Sequence, residues 1–259
     1  MVSRCFPSQT SLINICMIKL SDVQIDAIKD TCRRNYPNES VFGITKDNIV
    51  IEFDNIHEDP INMFKIDAEA FYDNNCIALI HSHTVQIGDE GHSECYIDPR
   101  SPSEADMILQ NQMDIPFGIL ALDEETILDI VWFPDLDANI LGQEYISGIN
   151  DCYTLIQRYY HQHLGIELAS VPHSATWFET NPNMYEENYE AHGFYEVDIN
   201  DIKNGDMILI RIHHDTPTHA GVYVSGDTFY HHLINKLSHE DSLTKWIRRI
   251  TKVLRLKND

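Results

Sequence analysis

Asn150-Asp151-Cys152-Tyr153-Thr154-Leu155-Ile156 is the stretch from which the fold is read. A cysteine stands at the first turn of a predicted helix. Leu155, Ile156, Tyr159, Tyr160 and Leu164 follow at roughly helical spacing and give that helix one apolar face. A helix N-terminus offers free N–H groups and partial positive charge, so a thiol there is expected to ionise more easily, and the thiolate is the nucleophile. Taken alone, the stretch equally describes a small buried hydrophobe, which is what most single cysteines are. The residues that separate the two readings lie downstream.

Asn204-Gly205-Asp206 reads as a turn and Met207 to Ile212 as a strand. Thr218-His219-Ala220-Gly221-Val222-Tyr223-Val224 is a second strand, Ser225-Gly226-Asp227 a turn, and Thr228 to Leu233 a third strand. A nucleophilic cysteine needs a base within hydrogen-bond reach and a third group that orients the base. His219, at the start of its strand, is the candidate base. The Gly-Asp turn folds the next strand back antiparallel and brings His231 near His219. His231 and His232 point to opposite faces, so one of the pair is the orienter; His231 is taken here. The competing reading is that all three histidines are surface or core fillers on strands. Between the helix and these strands, His173 to Ala191 is rich in Asn, Glu, Tyr and Pro. It is expected to carry a helix and long loops and has no role assigned.

Cysteine on a helix, histidine on a strand, a polar residue on the next strand: this order resembles the NlpC-type cysteine peptidases, over about residues 139–259. The resemblance implies a compact papain-like fold and cleavage of the peptide stems of bacterial cell walls. The bond implied is on the carbonyl side of a diamino acid, next to D-glutamate. Cys152 would be the nucleophile, His219 the proton shuttle and His231 the orienter. Tyr153 is a departure, since many members carry a small residue after the cysteine.

Upstream, Ser21-Asp22-Val23-Gln24 reads as a capping box opening a helix whose stripe is Ile25, Ile28 and Cys32, stopped at Tyr36-Pro37. Val41 to Ile44 and Ile49 to Phe53 are predicted strands joined by Lys46-Asp47-Asn48, and Asp67 to Asp73 is a predicted short helix. Cys76 to Ile80 is an apolar run fitting a buried strand, and it delivers His81-Ser82-His83. Residues i and i+2 of a strand share a side, so the two imidazoles are presented together, as a metal site requires. Ser101-Pro102-Ser103-Glu104 looks like a helix start, with Ser101 as N-cap and Glu104 closing a capping box, and this puts Ser103 and Asp106 on one helix face. Asp106 is the candidate third ligand of a zinc ion with an open position for water, and Glu39 the natural base for that water. Ile115 to Ala121 and Ile127 to Phe133 read as a closing hairpin.

A Glu, then HxH, then SxxD resembles the JAMM (MPN-type) metalloproteases, over roughly residues 20–133. That resemblance implies an α/β sandwich around a mixed sheet. It gives Glu39 as acid/base, His81, His83 and Asp106 as Zn2+ ligands, and Ser103 as a stabiliser of the tetrahedral intermediate. Thr84 stands where the family usually has Pro. The spacer from His83 to Ser103 holds 19 residues, longer than the family's, and includes the polar stretch Gly88 to Cys95, whose His92 and Cys95 are themselves potential metal contacts.

The chain of 259 residues is long enough for two domains. The fold class expected is α+β: an N-terminal extension over 1–16, a JAMM/MPN-like zinc domain over 17–135, and a papain-like NlpC-type domain over 136–259, with the join where Phe133-Pro134-Asp135-Leu136-Asp137 loses periodicity. Met17 is an alternative start, and the first residues lack a convincing signal peptide. A net charge of −23 argues against nucleic acid or an anionic membrane as main partner, and no apolar run is long enough for a membrane span. Six scattered cysteines without a CxxC pair argue against a disulfide framework or a zinc ribbon.

The two domain types in this order resemble the phage lambda tail assembly protein K-like family. Leu141-Gly142-Gln143-Glu144-Tyr145 before Asp151-Cys152-Tyr153, the doublet His231-His232, and the tail from Leu237-Ser238 to Arg248-Arg249 carry that likeness. It implies a phage or prophage protein at the virion tail tip, or in the host cytoplasm during assembly. Its partners would be bacterial peptidoglycan and other tail-tip proteins. The alternative is a non-catalytic structural tail assembly factor with degenerate sites. A eukaryotic-type deubiquitinase has the zinc motif in its favour and the second domain against it.

Overall fold

The computed structural model describes residues 18–85 and 97–257. The expected N-terminal extension, Met17 and the stretch Gly88 to Cys95 with His92 and Cys95 lie outside the described residues. The fold is α+β with two separate sheets. The described chain falls into two compact units, one of residues 18–85 and 109–133, the other of residues 97–108 and 134–257. No helix among the described residues is long and apolar enough to cross a membrane.

In the first unit, α1 (Asp22–Asn35) is capped by Ser21. The Gln24 N–H donates to the Ser21 hydroxyl at 3.4 Å and the Ser21 N–H to Gln24 Oε1 at 3.0 Å, the reciprocal box that the sequence announces. β1 (Val41–Thr45) and β2 (Val50–Phe53) pair antiparallel around a turn in which Asn48 takes φ 60°, a left-handed conformation that asparagine tolerates. α2 (Ala68–Asp73) is capped by Asp67. β3 (Cys76–Thr84) carries the histidine pair, and β4 (Phe117–Leu122) and β5 (Val131–Phe133) complete the sheet; α3 (Glu104–Met113) belongs to this unit only from Leu109 on. The sheet runs β2-β1-β3-β4-β5, with β3 and β4 parallel and the other neighbours antiparallel. Ile28 and Cys32 of α1 pack on Phe42, Ile44, Ala78 and Ile80, the even-numbered positions of β1 and β3. Strand alternation therefore sends Val41, His81 and His83 to the opposite face.

The start of α3 corrects the expectation. Ser101 and Glu104 do not form its cap. The Ser103 N–H donates to Asp106 Oδ2 at 2.8 Å and the Asp106 N–H to Ser103 Oγ at 3.1 Å, so the box is two residues further on. Ser103 is thus the cap itself, ahead of the first helical residue, rather than a side chain on the helix face. Two overlapping boxes are written in Ser101-Pro102-Ser103-Glu104-Ala105-Asp106, and both satisfy the same i, i+3 rule. In addition, residues 97–108, read as part of the first domain, group with the second unit.

In the second unit, α4 (Cys152–Tyr159) runs on into a π-helical turn over Tyr160–Leu164, stopped by Gly165 at φ 66°. Two short helices follow, α5 (Trp177–Thr180) and α6 (Met184–Asn188). Then come β6 (Phe194–Val197), β7 (Met207–Ile210), β8 (His219–Ser225), β9 (Thr228–His231), β10 (His239–Ser242), α7 (Leu243–Trp246) and β11 (Ile250–Leu256). They form a sheet in the order β10-β9-β8-β7-β11-β6, antiparallel throughout. Leu155, Ile156, Tyr159 and Tyr160 bury the apolar face of the Cys152 helix against Met207, Leu209, Ala220, Val222 and Leu254. Ile208, Ile210, Phe229 and Leu243 form a second core on the other side of the same strands, with Trp246 packed on it.

Two features tie this unit together. The Gly142 N–H donates to the Ser238 carbonyl at 2.8 Å, the Ser238 N–H to the Gln143 carbonyl at 2.9 Å, and the Gln143 N–H to Ser238 Oγ at 2.9 Å. This strap holds the segment before α4 against the residue before β10. At the far end of the sheet, Arg255 grips the buried Asp206 with two hydrogen bonds, at 2.8 and 2.7 Å.

Candidate active site

Asp151 builds the site by capping α4. One carboxylate oxygen accepts from the Tyr153 and Thr154 N–H groups, both at 2.9 Å, and the other from the Gly148 N–H at 2.7 Å. His173 faces that second oxygen with Nε2 at 3.6 Å, and its Nδ1 donates to the Val171 carbonyl at 2.7 Å. Burial alone would raise the Asp151 carboxyl, but His173 and the backbone N–H groups hold it below the usual carboxylate range. Burial would likewise depress His173, but Asp151 raises it, so both shifts describe one buried pair.

The cap fixes Cys152 at the start of the helix, 7% exposed. The environment of its thiol overturns the expectation of easy ionisation. Burial first, then the neighbouring Asp151 charge, push it up to about 12; the Tyr185 hydroxyl, the Ala220 N–H and its own backbone pull the other way and lose. The partial charge of a helix end acts within the first turn, but here that turn also holds a full negative charge in a dry setting. Sγ lies 3.4 Å from the Tyr185 hydroxyl. The space beside it is about 50 Å³ and is walled by Trp177, Tyr185 and Tyr189 together with His173, room for one or two waters.

His219 and His231 do meet: His219 Nε2 lies 3.0 Å from His231 Nδ1. The hairpin register Gly221↔His231 brings them together, and Gly221 permits it. A Cβ there would stand 2.8 Å from both the Phe229 ring and the Tyr230 carbonyl. His232 turns away, as alternation requires; its Nε2 donates to the Lys236 carbonyl at 3.0 Å and its ring meets Tyr145 edge-on at 5.2 Å. Burial pushes His231 down to about 3 and His232 to about 4, and it lowers His219 well below its ordinary value. The thiol and the base are not joined: Cys152 and His219 make no hydrogen bond with each other, and Sγ has Tyr185 instead. Bonds between catalytic groups often tighten only when substrate is bound.

Three functional candidates escaped the sequence reading. His173 and Tyr185 sit in the polar stretch without periodicity, and no local signal marks them. His239 lies opposite His231, with Nε2 3.1 Å from His231 Nε2. Its signal was the alternation His239-x-Asp241 beside a known histidine strand. His231, His239 and Asp241 bring possible ligand atoms within 4.8 Å of one another. Hydrogen bonds account for that cluster, however, since the Asp241 carboxylate accepts from Trp246 Nε1 and Lys245 Nζ, both at 2.8 Å, and from the Ser242 N–H at 2.7 Å.

In the first unit, His81 and His83 bring their Nε2 atoms to 3.1 Å. Two nitrogens on one tetrahedral zinc stand about 3.3 Å apart, so the pair fits such an ion. Phe64 backs the His81 ring at 4.6 Å. Glu39 is buried just ahead of β1. Val41 pairs with His81 and the Ser40 carbonyl accepts from the Ser82 N–H at 3.0 Å, so the strand register carries Glu39 toward His83 on the histidines' face. Asp106 and Ser103 belong to the segment grouped with the other unit, joined to each other by the capping box.

Residues 142–255 match the model of the NlpC/P60 family. The chain is 33% identical over 176 residues to the tail tip assembly protein K of Escherichia phage lambda, covering 67% of this chain and 78% of that protein. It is 26% identical over 244 residues to the tail tip assembly protein K of Escherichia phage N15, covering 90% of this chain and 94% of that one. Among solved structures it is similar to an NLP/P60-family lipoprotein-like protein of Staphylococcus aureus, at 21% identity and a TM-score of 0.34, over 46% of this chain and 38% of that one.

Proposed function

The chain belongs to the tail tip assembly protein K family, and from that premise we propose that it is a phage tail-tip protein whose NlpC/P60 part hydrolyses peptidoglycan stem peptides. The observation that supports this reading is the His219–His231 pair at 3.0 Å on the hairpin whose Ala220 shares one core with Cys152. In this mechanism thiol and imidazole start neutral. His219 accepts the thiol proton as Sγ attacks the peptide carbonyl and then donates it to the leaving amine. His231 holds the His219 ring, the task a carboxylate performs in other triads. Sγ leaves Tyr185 for the substrate, and once the amine has left, a water attacks the thioester, His219 taking its proton and returning it to Sγ. Digestion of purified murein by the wild type and by Cys152→Ala tests this; equal turnover would sink it.

We also propose that His81, His83 and Asp106 are ligands for Zn2+. The 3.1 Å separation of the two imidazole nitrogens supports this. Zinc, when bound, supplies a water acidic enough to be a nucleophile near neutral pH. Glu39 would take the proton of that water, and Ser103 would donate a hydrogen bond to the tetrahedral oxygen. Metal content of the purified protein, compared with His81→Ala, is the check: equal zinc in both removes the proposal.

A purely structural part in tail assembly is the second reading, favoured by the buried, protonated Cys152 thiol. It predicts that Cys152→Ala and His81→Ala particles assemble and infect normally, whereas deletion of the whole protein yields no tails.

A further inference from the structure

The histidines on β8, β9 and β10, the first two buried and His239 partly exposed, form a row with a fixed direction. At its outer end, His239 Nδ1 lies 2.7 Å from the Leu237 carbonyl. A carbonyl oxygen only accepts, so the proton of neutral His239 is on Nδ1 and its Nε2 is a lone pair. That lone pair lies 3.1 Å from His231 Nε2, which must therefore carry the His231 proton. His231 Nδ1 is then a lone pair, 3.0 Å from His219 Nε2. His219 Nε2 must in turn be the N–H, and His219 Nδ1 is left as the acceptor. Each assignment follows from the one before, and the chain ends by making His219 a base.

We propose that His239 is a positioning residue, the fourth member of the Cys152, His219, His231 arrangement, which sets the tautomer of His219 through His231. This rests on the reading of His219 as the base. The surroundings hold the row in place. Register pairs His239 directly with His231 across β10 and β9. Trp246 meets the His231 ring edge-to-face at 5.1 Å and is itself pinned by its Nε1–H donating to Asp241 Oδ2 at 2.8 Å. The Ser238 strap fixes the residue before His239, and the carbonyl of Leu237, one residue earlier still, is the acceptor that starts the chain. Without His239, His231 Nε2 would face solvent, which donates and accepts equally, and the direction of the row would be lost.

Imidazole 15N NMR of the full chain at pH 8 tests the proposal without relying on peptidase activity. The expected spectrum has a single tautomer at each ring: protonated Nε2 for His219 and His231, protonated Nδ1 for His239. In His239→Ala the two His219 nitrogens are expected to move toward averaged shifts. In His239→Glu, which can only accept, the wild-type His219 signals return. Protonated Nδ1 at His219 in the wild type overturns the proposal, and so do unchanged His219 signals in His239→Ala. If the alanine variant fails to fold, the wild-type tautomers and the glutamate variant decide. Where wild type cleaves murein, kcat of His239→Ala falls about tenfold or more at unchanged KM, and His239→Glu recovers it. Wild type that cleaves nothing counts against the peptidase reading while leaving the tautomer result standing.

Discussion

Acid should unfold the second unit well before its carboxylates are protonated. His231 and His232 are almost wholly buried, with pKa values pushed down to about 3 and about 4, and His219 is lowered well below 6.5. In the unfolded chain each ring titrates near 6.5. Between those limits the unfolded state binds more protons than the folded state, so stability rises with pH and is lost as pH falls through about 6.5. For one such ring the loss between pH 7.5 and 5 is about 2 kcal/mol, so His231 and His232 together cost about 4 kcal/mol, and His219 acts in the same direction; many domains have little more stability than that. His173 works the other way, because Asp151 raises it, and offsets part of one ring's share. The depressed carboxyls of Asp151, Asp227 and Asp241 stabilise the fold above about pH 4 and release it only below, outside this window. The assay is guanidinium unfolding at pH 7.5, 6.5, 5.5 and 5.0, with chelator present. Trp132→Phe is used so that Trp177 and Trp246 alone report on the second unit. The midpoint should fall steadily with pH, and His232→Gln should flatten the slope. A midpoint that stays level or rises between pH 7.5 and 5 refutes the reasoning.

Alkylation of native Cys152 by iodoacetamide should rise about tenfold per pH unit from 7 to 10 with no plateau, because the thiol lies near 12; a plateau near pH 7 would mean a preformed thiolate. Arg255→Ala should cost about 3 kcal/mol in thermal unfolding, since it leaves the buried Asp206 charge without its guanidinium; a loss below about 0.5 kcal/mol would mean the pair is solvent-screened. Gly221→Ala should destabilise by about 1–3 kcal/mol and disturb the His219 and His231 ring signals together, because the added methyl meets both Phe229 and the Tyr230 carbonyl. Unshifted ring signals in that variant would show that the hairpin gives way elsewhere.

Local signals carried much of the fold. Ser21 with Gln24, Asp151 ahead of Cys152, and the Ser225-Gly226-Asp227 turn each act within three or four residues, and each lies where the sequence put it. The His219–His231 encounter follows from turn and alternation alone. Where two local signals overlap, as at Ser101 and Ser103, the rule cannot choose. Long-range pairing was invisible in another way. His239-Glu240-Asp241-Ser242 is wholly polar, and it is a strand because β9 offers an edge. The neutral thiol is the sharpest case: the helix end is written in the sequence, but the burial and the crowding carboxylate that outweigh it come from the packed fold. His173 and Tyr185 reach the site from segments whose composition says only that they are loops.

The Ser238 strap has a bearing on modularity. A fragment of the second unit that starts at the Cys152 helix lacks the residues hydrogen-bonded to Ser238. A transplant joined after Tyr145 would keep Cys152, His219, His231 and His239, yet free the loop from which the histidine row takes its direction. A junction ahead of Leu141 carries the clamp along. Where such units are exchanged between chains, the junction must also spare the Asp135, Leu136 and Ala138 carbonyls, which accept from Arg158 and Gln162 of the Cys152 helix and its π-helical turn.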